Sequence, residues 1–144
     1  MNSRLILAPV LVQVLLTVAV YVLLNFAKRR AVQRGEVDLA RRALHDDAWP
    51  DSVVKINNNI RNQFEVPVLF YVLSMALLAL NSVTWPVLAI ASLFALSRIG
   101  HAWVHLGSNY VPARRRIFMF GCLMVFALAL VAAFDLVAQL MSNA

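Results

Sequence analysis

The chain has 144 residues, 62% of them hydrophobic and 14% charged, with a net charge of +6. A soluble domain is nearer half apolar and a quarter charged, so an ordinary water-soluble globule is excluded. The positive charge needs no nucleic acid, because it gathers beside long apolar runs where anionic headgroups account for it.

Four apolar runs follow one another, each near the roughly 20 residues that a spanning helix needs. Leu5–Phe26 carries no charge. It is longer than the h-region of a signal peptide and no small-x-small cleavage site closes it, so it is expected to remain as the first span. The loop after it, AKRRAVQRGEVDLARRALHDDAWPDSVVK, mixes both charge signs, and DLARRAL can form a helical turn or two at the membrane surface. DAWPDS reads as a turn, with Asp51 or Ser52 available to cap the helix that follows.

The second span starts near Val53, several turns before the lipid, and Pro67 is placed to loosen it. NSVTWP makes a tight turn into the third span, Val83–Leu106, and a short basic loop leads to the fourth, Ile117–Met141. Expected helices cover about 5–27, 53–80, 84–108 and 114–141. Short connections make neighbours antiparallel, so the fold class is all-α, an integral membrane four-helix up-down bundle forming one domain over residues 1–144.

Of the 13 Lys and Arg, eight lie between Lys28 and Arg61, and three more are Arg114, Arg115 and Arg116. The positive-inside rule places these loops in the cytoplasm and both termini in the periplasm, as expected of a bacterial inner-membrane protein. The single cysteine, Cys122, reads as an apolar filler, and no disulfide within the chain or Cys-based metal motif exists.

Polar residues enter the bilayer in two sets. Asn58, Arg61, Asn62 and Glu65 are spaced i, i+3, i+4, i+7 on one helical face. Arg98, His101 and His105 share a face of the third span at i, i+3, i+7. A guanidinium facing lipid costs from about 2.5 to more than 10 kcal/mol, so Arg98 must face protein. Antiparallel packing brings Glu65 to the depth of Arg98, with the other groups nearer the basic mouth and Arg114 above them. One carboxylate against several arginines makes a net-positive site that suits an anion. The alternative is a buried Arg98–Glu65 pair that only fixes helix packing. A metal held by His101, His105 and Glu65 is disfavoured by the adjacent Arg61 and Arg98, so no metal is expected.

RNQFEVP, Arg61 to Pro67, resembles the helix-two signature of the MAPEG family, the membrane-associated proteins in eicosanoid and glutathione metabolism. RIGHAWVHLGSNYVPAR, Arg98 to Arg114, resembles the helix-three segment of its microsomal prostaglandin E synthase branch, and the microsomal glutathione transferases are also near. The resemblance implies a homotrimer that binds glutathione as cosubstrate between subunits and receives a lipophilic small molecule or lipid from the bilayer. It implies that Arg61, Asn62 and Glu65 hold the peptide, that Arg98 and His101 line the deeper wall with His105 also in the binding set, and that Lys28, at the close of the first span, corresponds to another pocket arginine of the family. Arg114 then stands where the family keeps the arginine that stabilises the glutathione thiolate. Four departures are visible: His105 and Phe118 stand where that branch has tyrosines, Asn58 where it has an arginine, and Arg115 where it has a serine. The implied function is a membrane glutathione transferase or peroxidase, joining the thiolate to a lipophilic electrophile or reducing a lipid hydroperoxide. The alternative is a non-catalytic homologue that binds a lipid or a partner protein.

Overall fold

The computed structural model describes residues 2–142. Its helices are α1 (Leu7–Gln33), α2 (Asp51–Gln63), α3 (Val66–Ala79), α4 (Trp85–Leu106) and α5 (Val111–Ser142), with a 3-10 turn over Ser3–Ile6 leading into α1. Four stretches are long and apolar enough to cross a membrane: Ser3–Gln33, Asp51–Ala79, Trp85–Leu106 and Val111–Ser142. Large apolar side chains cover the outside, including Leu15 at 65% exposed, Phe126 at 60% and Phe134 at 73%. Such a surface is stable in lipid, where helices satisfy their own backbone groups. The protein is an all-α integral membrane bundle.

The bundle runs up and down. At one end, Ile6 packs with Leu77 and Val83, and Gln139 Nε2 donates to Leu80 O at 2.8 Å. The start of α1, the α3–α4 turn and the end of α5 therefore share one side, while Met1 and residues 143–144 lie outside the described residues. At the other end, Lys55 Nζ donates to Gly107 O at 3.1 Å and so ties α2 to the loop after α4.

Helix ends differ from the sequence expectation for local reasons. α1 continues to Gln33 rather than residue 27, because KRRAVQ is helix-compatible and the stop comes from Gly35. Gly35 has φ 68°, Gly35 N–H bonds Val32 O at 3.1 Å, and Glu36 N–H bonds Ala31 O at 3.1 Å. These are the two bonds of a Schellman ending. Asn81, with φ 56°, ends α3 in the same way. α2 begins at Asp51 after Pro50, and neither Asp51 nor Ser52 makes a side-chain cap. α5 begins at Val111, so Arg114–Arg116 lie in its first two turns rather than at its start.

The second span is not one helix. α2 stops at Gln63 and α3 starts at Val66, with Glu65 at φ −95°, ψ −103°. Pro67 explains the interruption, since in a continuous helix its ring would clash with the carbonyl of Gln63 and its missing N–H would leave that carbonyl unpaired. As the second residue of α3, it offends neither rule.

Two apolar clusters stabilise the bundle. One joins Ile6, Phe70, Leu77, Val87, Ala91, Phe94 and Leu128, and Phe70 stacks on Phe94 with centroids 4.3 Å apart. The other joins Val20, Leu24, Val53, Ile56 and Ile60 near the loop end. Between them, in sequence order along each helix, lie Gln13, Gln63 and Arg98, all at most 1% exposed, with Asn59 bonded to Gln63 from within the second cluster. A buried polar layer thus separates two apolar ones. α4 and α5 form the most extensive interface. A Cβ on Gly121 would stand 3.0 Å from Ser97 Oγ, which is why α5 has a glycine there.

Candidate functional site in the polar layer

The break in the second span sets the geometry. In an unbroken helix Asn62 O would accept from Val66 N–H. With that bond gone, Arg98 Nη2 reaches across from α4 and donates to Asn62 O at 2.8 Å. The guanidinium caps the end of α2 in the way that basic groups serve helix C-termini. Its other nitrogens, Nε and Nη1, are buried without a partner. The remaining face lies against Phe118, with Cζ 5.5 Å from the ring centroid.

His101 and His105 continue this wall toward the loop end. Their rings meet edge-on at 5.6 Å, and both residues are almost fully buried. Asn62 Nδ2 lies 3.4 Å from His105 Nδ1 and also donates to Asn58 O at 3.1 Å. His101 Nδ1 has no partner. Arg114 Nη1 donates to Asn109 Oδ1 at 2.6 Å, which holds the guanidinium over the mouth. Asn62, His101, Val111, Arg114, Arg115 and Phe118 line a cavity of about 300 Å³.

Four of the expected groups therefore converge on one cluster with Arg114: Asn62, Arg98, His101 and His105. The other three are placed differently. Glu65 is exposed at the helix break and forms no ion pair with Arg98, because the turn at Phe64–Glu65 swings it off the face of Asn58 and Asn62. The Arg61–Glu65 pairing expected of a continuous helix is absent for the same reason. Arg61 turns outward, donating to Asp46 Oδ2 at 2.6 Å and Asn58 Oδ1 at 3.2 Å. Lys28 lies over the Trp49 ring at 4.9 Å. Lys28 and Arg61 thus fasten the first loop against α1 and α2 instead of lining the cavity. No group of three or more metal-ligating side chains occurs among the described residues.

Sequence reasoning passed over a second buried polar set. Gln13 Nε2 donates to Gln63 Oε1 at 2.7 Å, and Gln63 Nε2 donates to Asn59 Oδ1 at 3.1 Å. Gln13 Oε1 and Asn59 Nδ2 remain unpartnered. The i, i+4 spacing of Asn59 and Gln63 was available as a signal, one helical position away from the face that was read.

Chemically, the cluster offers N–H donors and positive charge with no carboxylate among the cavity-lining residues. Two free guanidinium nitrogens at 1% exposure cost free energy unless an acceptor meets them. An anionic ligand with carboxylate or thiolate groups has the complementary chemistry.

No curated protein and no solved structure matches the chain. The family model described as MAPEG family matches residues 5–134. That match covers the second and third membrane stretches whole, most of the first and fourth, and both polar sets. The chain belongs to the MAPEG family, whose members are integral membrane proteins of eicosanoid and glutathione metabolism.

Proposed function

We propose that the protein is a membrane glutathione transferase or peroxidase working as a homotrimer, with its basic loops in the cytoplasm and both termini in the periplasm of a bacterial inner membrane. The observation that carries this reading is the buried Arg98 guanidinium with Nε and Nη1 unpaired beside the unpaired His101 Nδ1. A carboxylate of glutathione meets one of the two free guanidinium nitrogens, and because Nε–H and Nη1–H point to opposite sides of the group, a second acceptor meets the other. Asn62 and His105 contribute further polar contacts. Arg114, near the mouth, faces the sulfur and favours its thiolate form. The thiolate then attacks an electrophilic carbon delivered from the bilayer. A C–S bond forms, and the displaced electron pair leaves with the leaving group or takes a proton. With a hydroperoxide, the thiolate takes the terminal oxygen and the lipid alcohol departs. A second glutathione then closes a disulfide with loss of water.

Glu65, Arg61 and Lys28 lie outside the single-chain cavity and reach the ligand from the subunit junction, where the exposed Glu65 receives the amino group of glutathione. Supporting this placement, Glu65 is an exposed carboxylate within the membrane-length stretch Asp51–Ala79, where facing lipid is costly.

The test is a titration of purified protein with glutathione, read as ultraviolet thiolate absorbance near neutral pH. Absorbance should rise in the wild type and vanish in Arg114→Ala while the oligomer mass is unchanged. Absence of binding at millimolar glutathione refutes the reading. A second reading, a non-catalytic lipid- or partner-binding homologue, draws on one observation: no hydroxyl group lines the cavity. It predicts glutathione binding without any thiolate signal.

A further inference from the structure

A second groove lies apart from the polar cavity, between the loop-side ends of α1 and α2. It has a volume of about 520 Å³. Leu23, Phe26 and Arg30 of α1 and Arg34 at its C-cap line it, and these positions recur on one helical face. The face runs roughly 16 Å from Leu23 to Arg34. Ile56 of α2 forms the opposite wall, and Glu36 stands at the rim just past the Gly35 turn.

The groove is graded along its length. Its deep half is apolar, with Leu23 43% and Phe26 56% exposed toward lipid. Its mouth carries two guanidiniums and one carboxylate. Arg30 makes no ion pair among the described residues, and Arg34 Nη1 stands 3.9 Å from Glu36 Oε1, at the limit of an ion pair. A water-soluble anion would meet the mouth and leave the apolar half unserved. An apolar ligand would do the reverse. A phospholipid meets both halves. The lone carboxylate beside the arginines adds a preference for a headgroup that carries a cation with N–H donors.

We propose that this groove holds one aminophospholipid of the leaflet on the basic-loop side. Its phosphate sits between Arg30 and Arg34, its ammonium on Glu36, and an acyl chain runs along Leu23, Phe26 and Ile56. The lipid braces the Schellman ending of α1 and hence the start of the loop that carries Asp46 and Trp49. This assignment is independent of glutathione chemistry, since none of these residues lines the polar cavity.

The test uses the full-length protein in nanodiscs holding equal parts phosphatidylethanolamine, phosphatidylglycerol and phosphatidylcholine, followed by native mass spectrometry of lipids retained on release. The wild type should retain phosphatidylethanolamine in clear excess over phosphatidylcholine. R30Q/R34Q should lower that retention about tenfold with oligomer mass unchanged, as expected when two partly exposed charge-assisted contacts are lost. R30K/R34K, which preserves charge, should retain most of it. E36Q should keep phospholipid but lose the preference over choline. Equal wild-type retention of ethanolamine and choline lipids overturns the proposal. So does unchanged retention in R30Q/R34Q, or displacement of the lipid by millimolar inorganic phosphate. A change in oligomer mass in R30Q/R34Q would make the groove a seam between subunits and would equally overturn it.

Discussion

Replacing Arg98 by methionine separates a ligand site from a packing device. In the wild type the guanidinium makes one bond, to Asn62 O at 2.8 Å, and leaves Nε and Nη1 unpaired at 1% exposure. Methionine fills similar volume and removes the charge. Orphaning Asn62 O costs about 1–3 kcal/mol. Removing an uncompensated buried cation returns its desolvation cost, on the order of several kcal/mol per ion, which offsets that loss. Ligand-free stability should therefore change little. Glutathione binding should not survive so well. Two charge-assisted bonds at about 1.5–3 kcal/mol each correspond to a loss of about two to four orders of magnitude in affinity. The assay is equilibrium dialysis of labelled glutathione beside thermal unfolding in detergent, without ligand and at saturating ligand. The reasoning is refuted if Arg98→Met unfolds many degrees lower while its glutathione affinity matches the wild type, because the guanidinium would then serve packing alone.

Pro67→Ala should let α2 and α3 join. Val66 N–H then competes with Arg98 for Asn62 O, and amide exchange across residues 64–68 should slow, as read by hydrogen-exchange mass spectrometry. Gln63→Leu should destabilise by about 1–3 kcal/mol, because it strands the Gln13 amide. The Gln13→Leu/Gln63→Leu double variant should lose less than the two single losses combined, and a double-mutant cycle in detergent measures the difference. Gly121→Val should drive α5 away from Ser97 and Phe94 and lower stability by about 1–3 kcal/mol, with Gly121→Ala milder. Mixing Arg98→Met and Glu65→Gln subunits should restore thiolate signal in a fraction of sites if the two residues serve one ligand across a junction. Absence of any restored signal would place them in unrelated roles.

The charged core of the site was legible because ionised groups in lipid are so costly. Arg98, His101 and His105 repeat on one face, and any burial of that face draws them together. Their relation to Asn62 required only that the second and third spans be antiparallel neighbours. Glu65 leaves the expected helical face for a local reason. Pro67 was recognised as a point of loosening, but a backbone break also rotates every residue beside it, and periodicity extended across the break assigns the wrong face. Arg61 turns away from the Asn62 face for a different reason. Its partner Asp46 sits fifteen residues upstream in a loop, and no helical rule connects them. The Gln13–Gln63–Asn59 chain escaped because neutral amides leave no mark on a charge pattern. The overrun of α1 to Gln33 was readable from Gly35, since a basic stretch ends the lipid contact without ending the helix.

The last helix is longer than its surroundings. From Ile117 to Met141 its side chains are apolar apart from Asp135 and Gln139, a length of roughly 37 Å against a hydrocarbon slab of about 30 Å. So long a rod must slant, or the slab around it must swell. Arg115 and Arg116 carry positive charge at its loop-side tip, where Arg114 turns aside to Asn109 over the cavity mouth. A thinner bilayer therefore increases that slant, and α4, packed along α5 at Gly121, has to follow.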